Sequence, residues 1–334
     1  MQGLYVLYDH TGRRAEWKQL VDEIVPDLVD PATDGPLPGR EEQWSLVTQY
    51  HVRLVEEAWQ WAEAERLHHA RVDWNRQRAV PALAAPPEKL DDAPRNAIRT
   101  LAASLHDLGQ IQREQNKPDC VAAYEEAAQM LQHIGDRPAE AVAAFSLGHA
   151  YKDIPALHDL DKAERLYRRS LELFDERDRK GRGGCLAQLG LVAYERFKEA
   201  RAANQPTSQL VDLLNSAADF YHQALDLLPP NAVDDLAVAH AVLGNIYGDA
   251  GNLDTSLHHA RESIRYYEQS GDVYWAASIR HNVAITLANA GHFEDALDYA
   301  QAALCNFSTF GDRAADMIQK TQQLIAQIEQ ARRK

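Results

Sequence analysis

The chain has 334 residues, 45% hydrophobic and 25% charged, with 17 glycines and 14 prolines. That composition excludes a disordered or fibrous chain and leaves room for two ordinary domains or one extended repeat array. A net charge of −15 disfavours wrapping a nucleic-acid backbone, which needs clustered Lys and Arg.

No apolar run approaches the ~18 residues needed to span a bilayer. The opening MQGLYVLYDHTGRR lacks the basic start and apolar stretch of a signal peptide. Cys120, Cys185 and Cys305 form no CxxC pair, so neither a zinc site nor a disulfide framework is expected. They fall within helical patterns as buried small hydrophobes, and a reducing, cytoplasmic setting is the natural reading.

Residues 1–95 form a divergent N-terminal part holding five of the six tryptophans (Trp17, Trp44, Trp59, Trp61, Trp74). An exposed tryptophan-rich end of this kind is where self-association would sit. Residues 4–17 read as a repeat entered partway through its first helix, with no polar capping helix before it. Either a partner covers this end or the segment belongs to a longer polypeptide, and the second is the expectation. A linker at 30–40 (DPATDGPLPGR) separates an opening helical hairpin from one divergent repeat with helices at 43–58 and 60–78. A second break at 80–92 follows, because proline cannot continue a helix.

From 96 to 312 the pattern repeats. It runs LGQIQREQNKPDCVAAYEEAA at 108–128, then LGHAYKDIPALHDLDKAERLYRRSL at 147–171 with a short insertion in its turn. LGLVAY at 189–194 pairs with FYHQALDLLPP at 220–230. LGNIYGDAGNLDTSLHHARESI at 243–264 aligns with VAITLANAGHFEDALDYAQAAL at 283–304. In that last alignment Gly251 matches Gly291, Tyr247 matches Leu287, Ser256 matches Ala296, and Ala260 matches Ala300. Gly109, Gly148, Gly190, Gly244 and Ala284 are spaced by 39, 42, 54 and 40 residues. Such periods mean about five stacked units, each burying a face against its neighbours.

The long interval carries its extra residues in 193–214, a lengthened hairpin turning at 204–208. It is either a tolerated surface insertion or a protruding partner contact. The tripeptides IGD (134–136), SGD (270–272) and FGD (310–312) fit a glycine closing one helix and an aspartate capping the next. Residues 313–334 read as a capping helix, with Met317, Leu324 and Ile328 on one face and Gln319, Gln323, Gln327 and Gln330 toward water. Its terminal ARRK suits the negative helix end. No alternating strand pattern appears, so the expected class is all-α.

These residues resemble the tetratricopeptide repeat family, whose unit runs Leu-Gly, an aromatic three residues later, then Gly, Ala, an aromatic and Ala-Leu. The spacing is similar to the longer, ~40-residue subclass of signalling scaffolds and bacterial regulators. Two positions depart from the pattern: Gln112 stands where an aromatic is expected and Ala284 where glycine is. The resemblance covers 96–312 and implies a right-handed superhelical α-solenoid that binds a protein or peptide segment in its concave groove.

Chemistry of another kind is hard to find. GxSxG, GxxxxGK[ST], HExxH and CxxC are all missing from the sequence. The pairs His68–His69 and His258–His259 point about 100° apart on a helix, which suits a surface or groove-edge role rather than chelation. No metal, cofactor or catalytic residue is expected.

Carried over residue by residue, the resemblance marks His106, Gln110 and Arg113 in the first clear unit as groove contacts. It then marks His149 and Lys152, Gln188 and Tyr194, Asn245 and Asp249, and finally His281, Asn282 and Asn289. Asparagine suits the role because its amide both donates to and accepts from a peptide backbone. The leading expectation is a protein-interaction scaffold. The alternative is a regulatory or sensor module of a larger protein, with an effector domain in the same polypeptide as a further expected partner.

Overall fold

The architecture comes from a computed structural model and describes residues 13–333. Fourteen α-helices run through the described residues, among which the only isolated bridge pairs Val29 with Pro36. The chain is all-α, as the periodicity predicts. No helix among the described residues is long and apolar enough to cross a membrane. The chain gathers into two compact units, residues 1–173 and 174–334. Of the opening segment at 4–17, residues 4–12 lie outside the described residues.

The first unit begins with α1 (Arg14–Ile24), whose Trp17 meets the ring of Tyr50 edge-on at 5.1 Å. Turns follow, fixed where the Trp44 indole N–H donates to the Asp34 carbonyl at 2.9 Å. Three hairpins complete the unit: α2 (Glu41–Glu57) with α3 (Trp61–Leu83), α4 (Asp92–Glu114) with α5 (Cys120–Ile134), and α6 (Arg137–Asp153) with α7 (Leu160–Leu173).

The expected break at Val80 is three residues late. Helix α3 continues through Pro81 to Leu83, because Ala79 and Ala82 are buried in the cluster that Ile98, Leu101 and Leu105 of α4 build. The Arg95 guanidinium holds the break itself, donating to the carbonyls of Pro87, Leu90 and Ile134 at 2.7, 3.0 and 2.7 Å. The tryptophans do not form an exposed end. Trp17 and Trp44 are buried, Trp61 and Trp74 partly so, and Trp59 alone of the five is exposed.

The second unit holds α8 (Arg179–Ala202) with α9 (Thr207–Leu227), α10 (Val233–Asp249) with α11 (Leu253–Ser270), α12 (Val273–Asn289) with α13 (Phe293–Ser308), and then α14 (Ala315–Arg332). The extra residues of the long interval lengthen α8 and α9. Their turn places Asn204 in the left-handed region at φ 51°, where asparagine is among the better tolerated side chains. On α14, Thr321 and Ile328 are buried, while Gln319, Gln323, Gln327 and Gln330 are exposed.

Two of the three punctuation tripeptides behave as expected. Gly135 and Gly271 close their helices at φ 72° and 78°, and the Asp136 and Asp272 carboxylates accept from the amides of Ala139 and Trp275. The third does not. Gly311 and Asp312 lie in a 3₁₀ turn, Gly311–Ala314, and α14 starts after Ala314 with no side-chain cap. The apolar contacts of Phe310 and Ala314 with Phe307 and Met317 hold that turn instead.

The repeated glycines have a steric cause. A β-carbon on Gly109, Gly148 or Gly190 would lie 2.7, 2.6 or 2.7 Å from a ring carbon of Tyr124, Tyr167 or Tyr221 on the second helix of the same hairpin. All three rings are buried. At Gly244 the nearest atoms are backbone of Ala260 and Ser256 at 3.4 Å. That hairpin has a small residue where the others have tyrosine, as does the next, with Ala300. Ala284 can therefore replace glycine there. Gly148→Ala is expected to lose about 1–3 kcal/mol by overpacking against Tyr167, despite a helix-propensity gain of about 1 kcal/mol. Gly244→Ala should stay within about 1 kcal/mol of the parent. Urea unfolding of both variants measures the difference, and equal losses would contradict the tyrosine account.

Candidate binding cleft

In the second unit the first helices of successive hairpins, α8, α10 and α12, present side chains at helical spacing to one face. A cleft of about 410 Å³ opens there, lined by Tyr194 of α8, Asn245 and Asp249 of α10, and Ile285, Thr286 and Asn289 of α12. Residues 282, 285, 286 and 289 follow the i, i+3, i+4, i+7 pattern that keeps one helix face in line. Gly248 also lines the cleft, and a β-carbon there would lie 3.3 Å from Ser256 Oγ.

Asn245, Asn282 and Asn289 are exposed, and their side-chain amides make no hydrogen bond to the protein among the described residues. Ile285 between them is 38% exposed. The floor is already paired. The Tyr194 hydroxyl donates to Asp249 Oδ2 at 2.7 Å, and Arg201 Nη1 reaches Asp249 Oδ1 at 2.6 Å. Burial and that bond to Asp249 push the Tyr194 hydroxyl well above its ordinary pKa, so it stays a donor at neutral pH. Together the cleft offers amides that can both donate and accept, one apolar ridge, and a floor whose charges are neutralised.

Ile285 and Asn289 also border a second hollow of about 420 Å³ between α12 and α14, edged by Gln323 and Gln327. His281 stands at its back, buried, with Nδ1 2.9 Å from Thr321 Oγ1. Asn282 and Asn245 both line a small hollow bounded by α10, α11 and α12. Tyr194, Asn245, Asp249 and Asn289 are thus brought to one cleft, while His281 and Asn282 each line a separate neighbouring hollow.

The other residues the resemblance marks lie elsewhere. His106 Nε2 is 2.8 Å from Ser146 Oγ, tying α4 to α6. His149 packs edge-on against Phe145 and Tyr167, its Nδ1 3.2 Å from the tyrosine hydroxyl. Arg113 and Lys152 pair with their chain neighbours Glu114 and Asp153. The Gln188 Oε1 is buried without a hydrogen-bond partner. Gln110 is exposed and lines a different cleft, in the first unit. Ile285 and Thr286 of the cleft, and Arg201 that pairs with its Asp249, are not marked by the resemblance. Ile285 lies on the exposed face of α12, but its residue type alone marks it as buried.

No family model matches the chain. Over 67 residues it is 42% identical to the photosystem I assembly protein Ycf3 of Synechococcus elongatus, and equally to that of a second Synechococcus strain. That match takes 20% of this chain, which spans about a third of the length of the curated relatives (34%). Among solved structures it is similar to BtubC from P. vanneervenii, with a TM-score of 0.56, 14% identity, and 73% and 92% of the two chains covered. It is also similar to the apo form of the quorum sensor NprR from B. thuringiensis, with a TM-score of 0.54, 15% identity, and 93% and 81% covered. The fold is that of the tetratricopeptide repeat.

Each histidine pair of this tetratricopeptide array splits between surface and interior. His69 and His258 are exposed, as expected, whereas His68 and His259 are buried, His68 at the back of a cleft in the first unit. His68 Nε2 lies 3.0 Å from Glu56 Oε1. His259 Nδ1 lies 2.9 Å from His240 Nδ1, and its ring stacks on Tyr247 at 5.5 Å. Packing between the helices of each hairpin turns these residues inward. Cys120 and Cys185 are buried as expected, but Cys305 is exposed on α13. Among the described residues no three His, Cys, Asp or Glu side chains are placed to hold a metal.

Burial, then the neighbouring His240, His258 and His222, depress the His259 pKa to about 4, with Glu262 opposing. Burial lowers His240 as well, against Glu262 and with Arg265 nearby. The folded state therefore favours neutral rings. Their stabilisation is complete above the ordinary value of 6.5 and is lost as pH falls toward 4, because the unfolded chain then binds more protons. Thermal unfolding between pH 7 and 4.5 should show a falling midpoint, with a shallower fall in His259→Gln. An identical slope in the variant would contradict this origin.

Proposed function

We propose that the chain is a protein-interaction scaffold that takes a peptide or protein segment across α10 and α12, working by binding rather than catalysis. The observation that carries the reading is the set of Asn245, Asn282 and Asn289, three exposed amides without protein partners on two adjacent repeat helices. Asn245 and Asn289 line the 410 Å³ cleft together with an exposed Ile285, and Asn282 lies one turn before Ile285 on the same helix. An amide can hold an extended backbone through both its N–H and C=O groups without reading sequence, and the isoleucine offers a contact for one apolar side chain. The net charge of −15 favours a neutral or basic segment over nucleic acid or an acidic peptide. A cytoplasmic setting, with all three cysteines free, belongs to the same proposal.

A switching role is the second reading, in line with the likeness of fold to a quorum sensor. The Asp249 carboxylate ties α10 to α8 through Tyr194 and Arg201 at the cleft floor. A ligand that takes Asp249 would release that tie and let the two hairpins rotate, the way repeat arrays change curvature. An effector domain in the same polypeptide would be the receiver of such a change.

The test is capture of a partner by the full chain, its preparation as a pure polypeptide, and titration against the parent and an Asn245→Ala/Asn289→Ala variant. Losing two side-chain hydrogen bonds of about 0.5–1.5 kcal/mol each should weaken binding about tenfold with the unfolding midpoint unchanged. Equal affinity for both proteins would reject the cleft as the site. Hydrogen exchange of α8 and α10 with and without that partner separates the readings: a scaffold protects the cleft face alone, whereas a switch also changes exchange around Arg201.

A further inference from the structure

Seven turns among the described residues share one backbone geometry. In each, the first or second residue past the helix takes a left-handed φ, and the next amide reaches back to the carbonyl five residues earlier. Asn116, Gly135, Asn204, Gly251, Gly271 and Gly291 occupy this position, followed by the bonds Lys117 to Gln112, Asp136 to Leu131, Gln205 to Ala200, Asn252 to Tyr247, Asp272 to Tyr267 and His292 to Leu287. Glycine has no β-carbon to clash there, and asparagine tolerates the region better than most.

The seventh turn, between α2 and α3, breaks the chemistry while keeping the geometry. Gln60 donates to the Val55 carbonyl at 3.0 Å, and the left-handed residue is Trp59, at φ 59°. A bulky side chain in this region is strained. Packing does not repay the strain, since Trp59 is 75% exposed.

What Trp59 borders is a cleft of about 490 Å³ in the first unit, with Trp61 meeting its ring edge-on at 5.4 Å. The lining carries the carboxylates of Glu56, Asp107 and Glu114 against the guanidinium groups of Arg53 and Arg71. Arg71 is taken by Asp107 at 3.1 Å. Glu56 uses one oxygen on His68 Nε2, and Glu114 one on Arg113, and the second oxygen of each has no protein partner among the described residues. An open indole face beside carboxylate oxygens with unused acceptor capacity is the arrangement that holds a planar cation: ring below, carboxylate at the edge. The chain's charge of −15 attracts such a group and repels a second copy of itself.

We propose that the α2–α4 cleft is a second interaction site, distinct from the α10–α12 cleft, that takes an arginine side chain from a basic segment of another protein. The guanidinium stacks on Trp59 and pairs with Glu56. Arginine fits better than lysine because its flat, weakly hydrated head can stack and pair at once.

The experiment titrates the full chain with an acetylated, amidated tetra-arginine peptide at physiological salt, following indole fluorescence and calorimetry. Trp59→Gly should lose at least fivefold in affinity while its unfolding midpoint stays or rises, because glycine relieves the turn. Trp59→Phe should keep most of the binding, Glu56→Gln should weaken it, and a tetra-lysine peptide should bind more weakly than tetra-arginine. Asn245→Ala/Asn289→Ala should leave the affinity unchanged, so the two clefts fail or stand separately. The proposal falls if Trp59→Gly binds tetra-arginine as well as the parent does. It falls equally if that substitution lowers the midpoint by several degrees, which would make Trp59 a structural residue, or if the asparagine variant loses the peptide instead.

Discussion

The structure depends on how closely the two helices of a hairpin can approach. In three hairpins a buried tyrosine of the second helix lies flat on a glycine of the first, at distances that leave no room for a single methyl group. The contact fixes the separation of the pair, and the separation decides which side chains of the first helix turn inward and which remain for a ligand. Interiors packed at crystal density transmit such a constraint, since a helix that cannot move closer or farther cannot rotate its exposed face either. Where the tyrosine is replaced by a small residue, at Ala260 and Ala300, glycine is no longer required, and Ala284 becomes acceptable.

Those last two full hairpins, α10–α11 and α12–α13, are also where the free amides sit. Without a large ring to cover, their first helices carry polar residues at one-turn intervals along the open face. The histidines tell the complementary story. His106, His149, His259 and His281 all hydrogen-bond across helices, so their polar atoms serve the stack rather than a ligand. A polar side chain at a groove position is available only if the neighbouring helix offers it nothing.

Much of the fold was legible because it is periodic. A repeat near 40 residues, small residues at matched positions and Gly-Asp punctuation each have one physical meaning in a helical stack. The departures were local. Pro81 marks a break by its chemistry, but the buried alanines on either side of it carry α3 to Leu83. The FGD tripeptide matched its counterparts letter for letter, yet apolar packing around Phe307 turned it into a 3₁₀ step. Of the candidate site, the asparagines could be found from their register. Arg201, reaching Asp249 from 48 positions away, could not.

The sequence by itself determined the helical class and the hairpin unit, because these follow from short-range spacing. Only the tertiary structure decided which polar groups are already bonded to a neighbouring helix and which stay open. Hydrogen bonds such as Tyr194 to Asp249 and His281 to Thr321 join residues 55 and 40 positions apart, and no local pattern encodes them. The same holds for Trp59: its residue type is plain in the sequence, but its left-handed turn and exposed ring come from how α2 and α3 close on one another.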